Sequence, residues 1–369
     1  MKINTITCHD VYNHGASLQA YALQHYLQSE GHDVKIIHYK PDYLSCDFNL
    51  WMVANPIFDK PFVKQFYLLA KLPGRLCSLK RKASFDAFTA KYLHLTRRYQ
   101  SCEELCSDAP QADAYIAGSD QIWNTTFRNG TDAAFYLDFG PQEVLRLSYA
   151  ASFATDALAE GTEKFVKTHL ANFNSISVRE SSGVKLLNSL GFDGTQVVDP
   201  VFLLTAKQWS QIESNEGEDE DYVLVYDFMN DPHIRAVAER LARHYGCKVV
   251  SIGGRKLNYA QKCYRNEGPS SFVSLIKNAK CVVSNSFHGT AFSMTFGRDF
   301  FVVSRNDGLN SRMRDLLSHF GLIHRLVDSS ASDATLLSSI HYESVEPILA
   351  DDIEFSKRWL ANNLKSKNK

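Results

Sequence analysis

KINTITCHDVYNHGASLQAYALQHYLQSEGHDVKIIHY, residues 2–39, holds a complete strand–helix–strand unit. Residues 2–8 (KINTITC) read as a short strand and Asn13-His14-Gly15 as a turn. A helix begun near Ser17 runs through ALQHYLQ and closes on a glycine, and residues 34–39 (VKIIHY) form a second strand. Such a unit builds a parallel sheet covered by helices, so the first domain is expected to be Rossmann-like. Further strands fit at Ala114–Ala117, Leu147–Phe153, Ile176–Val178 and Gln196–Val198, which carries the sheet to about residue 200.

The same pattern recurs after Glu213–Asp221, a stretch with six acidic residues in nine that reads as a solvated loop. YVLVYDF (222–228) and CKVVSIG (247–253) are strand-like, and the segment between them has helical spacing at Ile234, Val237 and Leu241 with a closing Gly246. A helix near Phe272–Ala279, a strand at 281–285, a helix over Ala291–Phe296, a strand at 300–303 and a helix around Met313–His319 follow. The expected fold class is α/β, with two Rossmann-like parallel-sheet domains, 1–204 and 205–345, around a cleft. A last helix within 346–369 is placed to cross back to the first domain.

Forty basic and 41 acidic side chains leave a formal charge of −1, which offers a polyanion no overall attraction and argues against a nucleic-acid partner. The eight cysteines are dispersed without metal-ligand spacing and read as reduced thiols of a cytoplasmic protein with no metal site. No run approaches the ~20 apolar residues that span a bilayer, and the opening residues lack a signal-peptide core. Between Lys60 and Phe85 stand seven basic residues and no acidic one, interleaved with Leu, Phe and Tyr. This insertion, around 55–95, reads either as solvated basic helices or as a peripheral contact with anionic lipid or a lipid-linked acceptor.

Open parallel sheets bind ligands beyond the carboxyl ends of their strands, where loops enter helix N-termini. In Ser284-Asn285-Ser286-Phe287-His288-Gly289-Thr290, His288 offers a proton donor and acceptor, and otherwise only caps a helix. In Gly118-Ser119-Asp120-Gln121-Ile122-Trp123-Asn124, Gly118 permits close approach, Ser119 and Asp120 bind ligand or cap a helix, and Trp123 is either a sugar platform or core. Arg179 has a fork that matches carboxylate or phosphate, with an ion pair to a nearby acid as the alternative. Asp199, in DPVFLL, reads as structural. Asn13, His14 and Gly15 occupy the usual anion corner, though without the spacing that marks a dinucleotide site, and Arg305 and Arg312 are further cations. The hydrolase elbow, the P-loop and the zinc-protease motif are missing.

GSDQIW, SVRE, DPVFLL and SNSFHGTAFSMTFG, together with NHGASLQAYALQHYLQSEGHDV, stand in an order that resembles the polysaccharide pyruvyl transferase family from about residue 5 to about 325. The resemblance implies a GT-B-like pair of domains, with an acceptor side in the first and a donor side in the second. It implies transfer of a pyruvyl group from phosphoenolpyruvate to saccharide hydroxyls as a ketal, in cell-surface polysaccharide synthesis, with no cofactor. On the same basis His288 matches the catalytic histidine and Arg179 the arginine that holds the donor. Ser286, Gly289, Thr290, Arg305 and Arg312 stand on the donor side, with Asp120 as a second catalytic group. Asn13, His14, Gly15, Gly118, Ser119, Gln121 and Trp123 stand on the acceptor side. Family members can carry an arginine two positions before the histidine, where this chain has Ser286. A nucleotide-sugar glycosyltransferase and a non-catalytic glycan-binding protein are the alternatives on the same scaffold.

Overall fold

The computed structural model describes residues 1–365 except 46–47, 54–55, 59, 61, 215–217, 219 and 305–310, with backbone alone at 56, 311 and 312. Five strands, β1 (Lys2–Ile6), β2 (Asp33–Tyr39), β3 (Leu95–Tyr99), β4 (Ala114–Ala117) and β5 (Leu145–Ser148), form one sheet in the order β3-β2-β1-β4-β5, with every pairing parallel. Parallel neighbours need crossovers, supplied in the first half by α1 (His14–Ser29), α2 (Val63–Tyr92) and α3 (Cys102–Ser107). Helices α4 (Glu163–Leu170), α5 (Ser181–Ser189) and α6 (Ala206–Trp209) then accompany a two-stranded parallel ribbon of β6 (Ser177–Val178) and β7 (Thr195–Gln196).

The second sheet takes β8 (Tyr222–Tyr226), β9 (Lys248–Ile252), β10 (Lys262–Tyr264), β11 (Cys281–Ser284), β12 (Asp299–Val303) and β13 (Leu326–Val327) in the order β10-β9-β8-β11-β12-β13, again all parallel. Its helices are α7 (Pro232–Tyr245), α8 (Pro269–Asn278), α9 (Phe287–Thr295), α10 (Ser311–His319) and α11 (Asp333–Leu336), and α12 (Tyr342–Lys365) ends the described chain. YVLVY and CVVS are buried at every position because helices cover both faces of the sheet. Each sheet reverses its winding once, between β1 and β4 and between β8 and β11. The crevices beyond these two reversal points are where the topology places a ligand.

The two halves share one continuous apolar core. Tyr21 of α1 lies 5.7 Å from the Trp209 ring, and Trp209 lies 4.7 Å from Phe292 of α9. Aromatic pairs of this kind contribute roughly 0.5–1.5 kcal/mol each beyond their burial, which adds to the burial of the shared core. Helix α12 returns to the first half, where Ser356 Oγ accepts from Val198 N at 3.0 Å and Ser175 donates to Asn363 Oδ1. His14, expected in the cleft, is fully buried in this seam instead. It stacks on Phe272 at 5.0 Å and hydrogen-bonds Tyr226 Oη and Glu267 O at 3.3 and 3.1 Å. Among the described residues no helix is long and apolar enough to cross a membrane.

Three expectations need correction. The strand placed at Leu147–Phe153 ends at Ser148, because Ala150 (φ 54°) and Ala154 (φ 61°) adopt left-handed backbone that a strand cannot carry. The sheet stops at β5, and the ribbon joins its end through isolated bridges, Leu147 to Ser175 and Ala151 to Val178, and through hydrogen bonds between Ser148 and Ser177. In the acidic segment, of which residues 215–217 and 219 lie outside the described residues, Glu220 and Asp221 are exposed as expected, but two carboxylates are drawn into ion pairs. Glu218 is almost closed to water between Lys248 and Lys262, and it accepts from Tyr264 Oη, while Glu213 pairs with Lys277 at 2.7 Å. These carboxylates neutralise lysines on the β9–β10 edge and on α8.

Two buried imidazoles give the fold a pH dependence with a definite sign. Burial holds His9 down to about 4 and His14 well below the ordinary histidine value of 6.5, with the Arg81 charge adding to the effect at His14. In the unfolded chain both titrate near the ordinary value, so below it the unfolded state binds more protons and stability falls. His9 alone should remove about 3 kcal/mol between pH 6.5 and 4. Urea midpoints measured at pH 7 and 4.5 should drop accordingly, and a midpoint constant across that interval would contradict the assignment.

Candidate active site

The first half brings four loops to one point, those after β1, β4, β6 and β7. After β1, the Asn13 side chain caps α1 by accepting from Ala16 N at 3.3 Å, which sets Gly15 in the first turn. A Cβ on Gly15 would lie 2.1 Å from His288 Nδ1, so only glycine lets the imidazole of the second half rest on this backbone. After β4, Gly118 packs against Thr7, and Asp120 turns the chain at φ 71°, a conformation aspartate tolerates better than most residues. Ser119, fully buried, donates from Oγ to Asp199 Oδ2 at 2.9 Å. Gln121 is occupied within its own loop, where its side chain accepts from Asn124 and its carbonyl from Asn129.

Trp123 corrects the expectation of a sugar platform. It is fully buried, stacked on Tyr136 at 5.5 Å, and its indole N–H donates to Phe135 O, so neither face is open to a ligand. The indole is large enough to fill the space the loop must cover, and the hydrogen bond satisfies its one polar atom.

The loops after β6 and β7 supply the charges. Arg179 donates from Nη1 to Asp199 Oδ2 at 2.6 Å, while its Nε and Nη2 have no hydrogen-bond partner among the described residues. Glu180 Oε1 collects Ser152 Oγ, Phe153 N and Ala154 N at 2.9, 2.9 and 3.2 Å. These three donors hold the turn between the left-handed Ala150 and Ala154 in place, a conformation that costs of order 1 kcal/mol per residue unless over-determined. Asp199, read from sequence as structural, is the centre of the arrangement. It takes Ser119 and Arg179 on Oδ2 and Val201 N on Oδ1, with His288 Nε2 at 3.7 Å from Oδ2.

The second half contributes the start of α9. Ser284 Oγ donates to Tyr226 O and accepts from Ser286 N, which ends β11 in a tight turn. Ser286 then caps α9 by accepting from Gly289 N at 3.4 Å, and Thr290 Oγ1 donates back to Ser286 O. Both side chains thus serve the helix terminus, and Ser286 occupies the cap that an arginine at this position could not make. Gly289 packs on Ser284 and Tyr226. Phe287 lies under the Arg179 guanidinium at 4.2 Å, and His288, 7% exposed, points at Asp199 with Nε2 otherwise unpartnered. Arg305 lies outside the described residues, as does the side chain of Arg312.

A family model for polysaccharide pyruvyl transferase matches residues 13–307, which include Gly15, Ser119, Arg179, Asp199 and His288. The chain belongs to the polysaccharide pyruvyl transferase family. No curated protein sequence matches it. Among solved structures, UDP-GlcNAc 2-epimerase from Methanocaldococcus jannaschii is similar at 13% identity and TM-score 0.52, covering 95% of this chain and 93% of the epimerase. UDP-GlcNAc 2-epimerase from Neisseria meningitidis, bound to UDP-GlcNAc, aligns at 11% identity over 99% of both chains with a TM-score of 0.49. UGT89C1 from Arabidopsis thaliana aligns at 11% identity over 98% of this chain and 97% of its own, with a TM-score of 0.44. At such identities the likeness concerns the fold, two Rossmann-like domains in a GT-B-type arrangement.

For a pyruvyl transferase family member, the electrostatics of this point are informative. Burial alone would raise the Asp199 carboxyl, but the facing His288, the Arg179 guanidinium and Val201 N–H outweigh it and hold the group well below the usual carboxylate range. Burial also works against the Arg179 charge, and Asp199, Glu180 and Asp120 reverse the effect, so the guanidinium stays firmly charged. Asp199 and Glu180 went unrecognised in the sequence because an aspartate before proline and a glutamate at a helix start are common capping residues. The recognisable signal was position, since each follows a short strand of the β6–β7 ribbon.

Replacing Asp199 with Asn should destabilise the fold by about 3 kcal/mol, because a buried guanidinium is left without its anion. Chemical denaturation measures this, and a loss under about 0.5 kcal/mol would match a solvated surface pair instead. Gly15→Ala should lower stability by roughly 1–3 kcal/mol, as overpacking of a buried contact does, and move the His288 ring, visible as a shifted imidazole resonance. An unmoved ring would show that the interdomain contact is looser than described.

Proposed function

We propose that this chain transfers the pyruvyl group of phosphoenolpyruvate to two hydroxyls of one saccharide, closing a ketal and releasing phosphate, in the assembly of a cell-surface glycan. The reading rests on family membership and on one observation: Arg179 from the first half and His288 from the second meet at the single buried carboxylate of Asp199.

The chemistry has two stages. A first sugar hydroxyl adds to the central carbon of the enol phosphate while the methylene carbon takes a proton and becomes methyl. A second hydroxyl then displaces phosphate at the same carbon. His288 is suited to deliver the proton to the methylene or to remove one from a hydroxyl, as an imidazole does near neutral pH. Asp199, 3.7 Å from Nε2, would fix the direction of the ring, as a carboxylate behind an imidazole does elsewhere. Nη2 of Arg179, which makes no hydrogen bond among the described residues, suits a carboxylate or phosphate oxygen, while Nε faces Glu180 Oε2 at 3.8 Å. Asp120, whose charge acts on this guanidinium, would orient an acceptor hydroxyl.

Arg179 is already matched by Asp199, so a multiply charged donor requires further cations. The basic residues Arg305 and Arg312 are the candidates, and the amides opening α9 add partial positive charge.

The assay is to incubate the chain with phosphoenolpyruvate and candidate glycosides and to follow phosphate release together with mass gain on the sugar. His288→Ala should lower kcat/KM by roughly 10²–10⁴. Arg179→Lys should raise KM as well, since a point charge does not replace the fork. Phosphate release that survives His288→Ala would remove the histidine from the mechanism. Turnover of a UDP-sugar in place of phosphoenolpyruvate would reassign the donor.

A further inference from the structure

Helix α2 has two dissimilar ends. Its C-terminal part is anchored, with Phe85 and Phe88 buried and Arg81 donating to Tyr12 O and Arg265 O. Its N-terminal part stands off the body, and there Phe62 is 79% exposed, Phe66 74%, Leu69 65% and Leu76 49%. Positions 66, 69, 73 and 76 advance by three and four residues in alternation, so they lie on one face, joined by Ala70 and Cys77, and Phe62 immediately precedes the helix. The opposite face is used internally. Arg75, almost fully buried, donates to Leu50 O and Met52 O at 2.9 and 2.6 Å, and Tyr67 stacks on Phe58. The held segment carries Trp51 outward, 73% exposed.

We propose that this face of α2, with Trp51, docks on the surface of an anionic lipid bilayer and holds the enzyme there as a peripheral protein. An apolar stripe this long on a water-facing helix costs solubility unless something covers it. The charge of the segment identifies the cover. From Lys60 to Phe85 the chain has seven basic side chains and no acidic one. Lys60, Lys64, Lys71 and Lys80 are exposed there, Lys80 continuing the line of the stripe and Lys64 and Lys71 on the side of α2 that carries Tyr67 and Arg75. An apolar face on a cationic segment matches acyl chains beneath anionic headgroups. The four-three spacing would equally suit a helical seam with a second copy, but pairing two copies sets lysine against lysine with no acid in the segment to offset the repulsion. The inference does not depend on the reaction performed in the cleft.

The test is co-sedimentation of the full chain with phosphatidylcholine vesicles and with vesicles in which one lipid in three is phosphatidylglycerol. Binding is expected to the anionic vesicles only and to weaken with salt, and Phe66→Glu/Leu69→Glu should reduce it at least tenfold while the circular dichroism stays the same. The emission of Trp51 should shift to the blue on binding, a signal absent in Trp51→Phe, because Trp123 and Trp209 are fully buried and Trp359 of α12 is packed on the core away from α2. Anionic-vesicle binding undiminished in the double variant would overturn the proposal. So would failure to bind together with a dimer, seen by light scattering, that the double variant dissolves.

Discussion

A carboxylate with no access to water, shared by two halves of a molecule, is expensive unless every lone pair is answered. Asp199 meets that requirement with a serine hydroxyl, a guanidinium, a backbone amide and a facing imidazole. The desolvation of a buried ion costs several kcal/mol, which this set of partners must offset. The balance is favourable only while the β4 loop, the β6 loop and the start of α9 keep their relative positions. The carboxylate therefore specifies a geometry as much as it stabilises one.

The supporting structure follows from this constraint. Glu180 gathers three donors from the turn after β5, so the strained alanines that end the strand are held by the residue next to Arg179. Gly15 leaves room for His288, and Ser286 caps the helix that presents it. The apolar seam of Tyr21, Trp209 and Phe292, with His14 between Phe272 and Tyr226, fixes the distance between the sheets. Chemistry and interdomain packing are in this way one arrangement, in which side chains from two sheets complete a single pocket wall.

Much of the architecture was legible because its signals are local. The alternation of short apolar runs and helical spacing marked both parallel sheets, and loop position marked His288 and Arg179 as residues beyond strand ends. What escaped was set by contact between distant segments. Trp123 had the composition of a ligand platform and is core, since Tyr136 and Phe135 claim its ring and its N–H. His14 had the position of an anion ligand and became a seam residue when α8 closed over it. The strand after residue 145 ended early because a backbone torsion, invisible to hydrophobicity, turned it.

By itself the sequence determined the class of fold and the family, and it marked His288 and Arg179 as residues beyond strand ends, because periodicity and motif order depend on neighbours along the chain. It also determined the basic, apolar character of the segment that becomes α2. The tertiary structure alone decided that Asp199 stands between Arg179 and His288, that Gly15 makes room for an imidazole 273 positions away in sequence, and that the apolar stripe of α2 faces outward. Burial and the pairing of charges are properties of three-dimensional neighbourhoods, and those come into existence only when the two sheets meet.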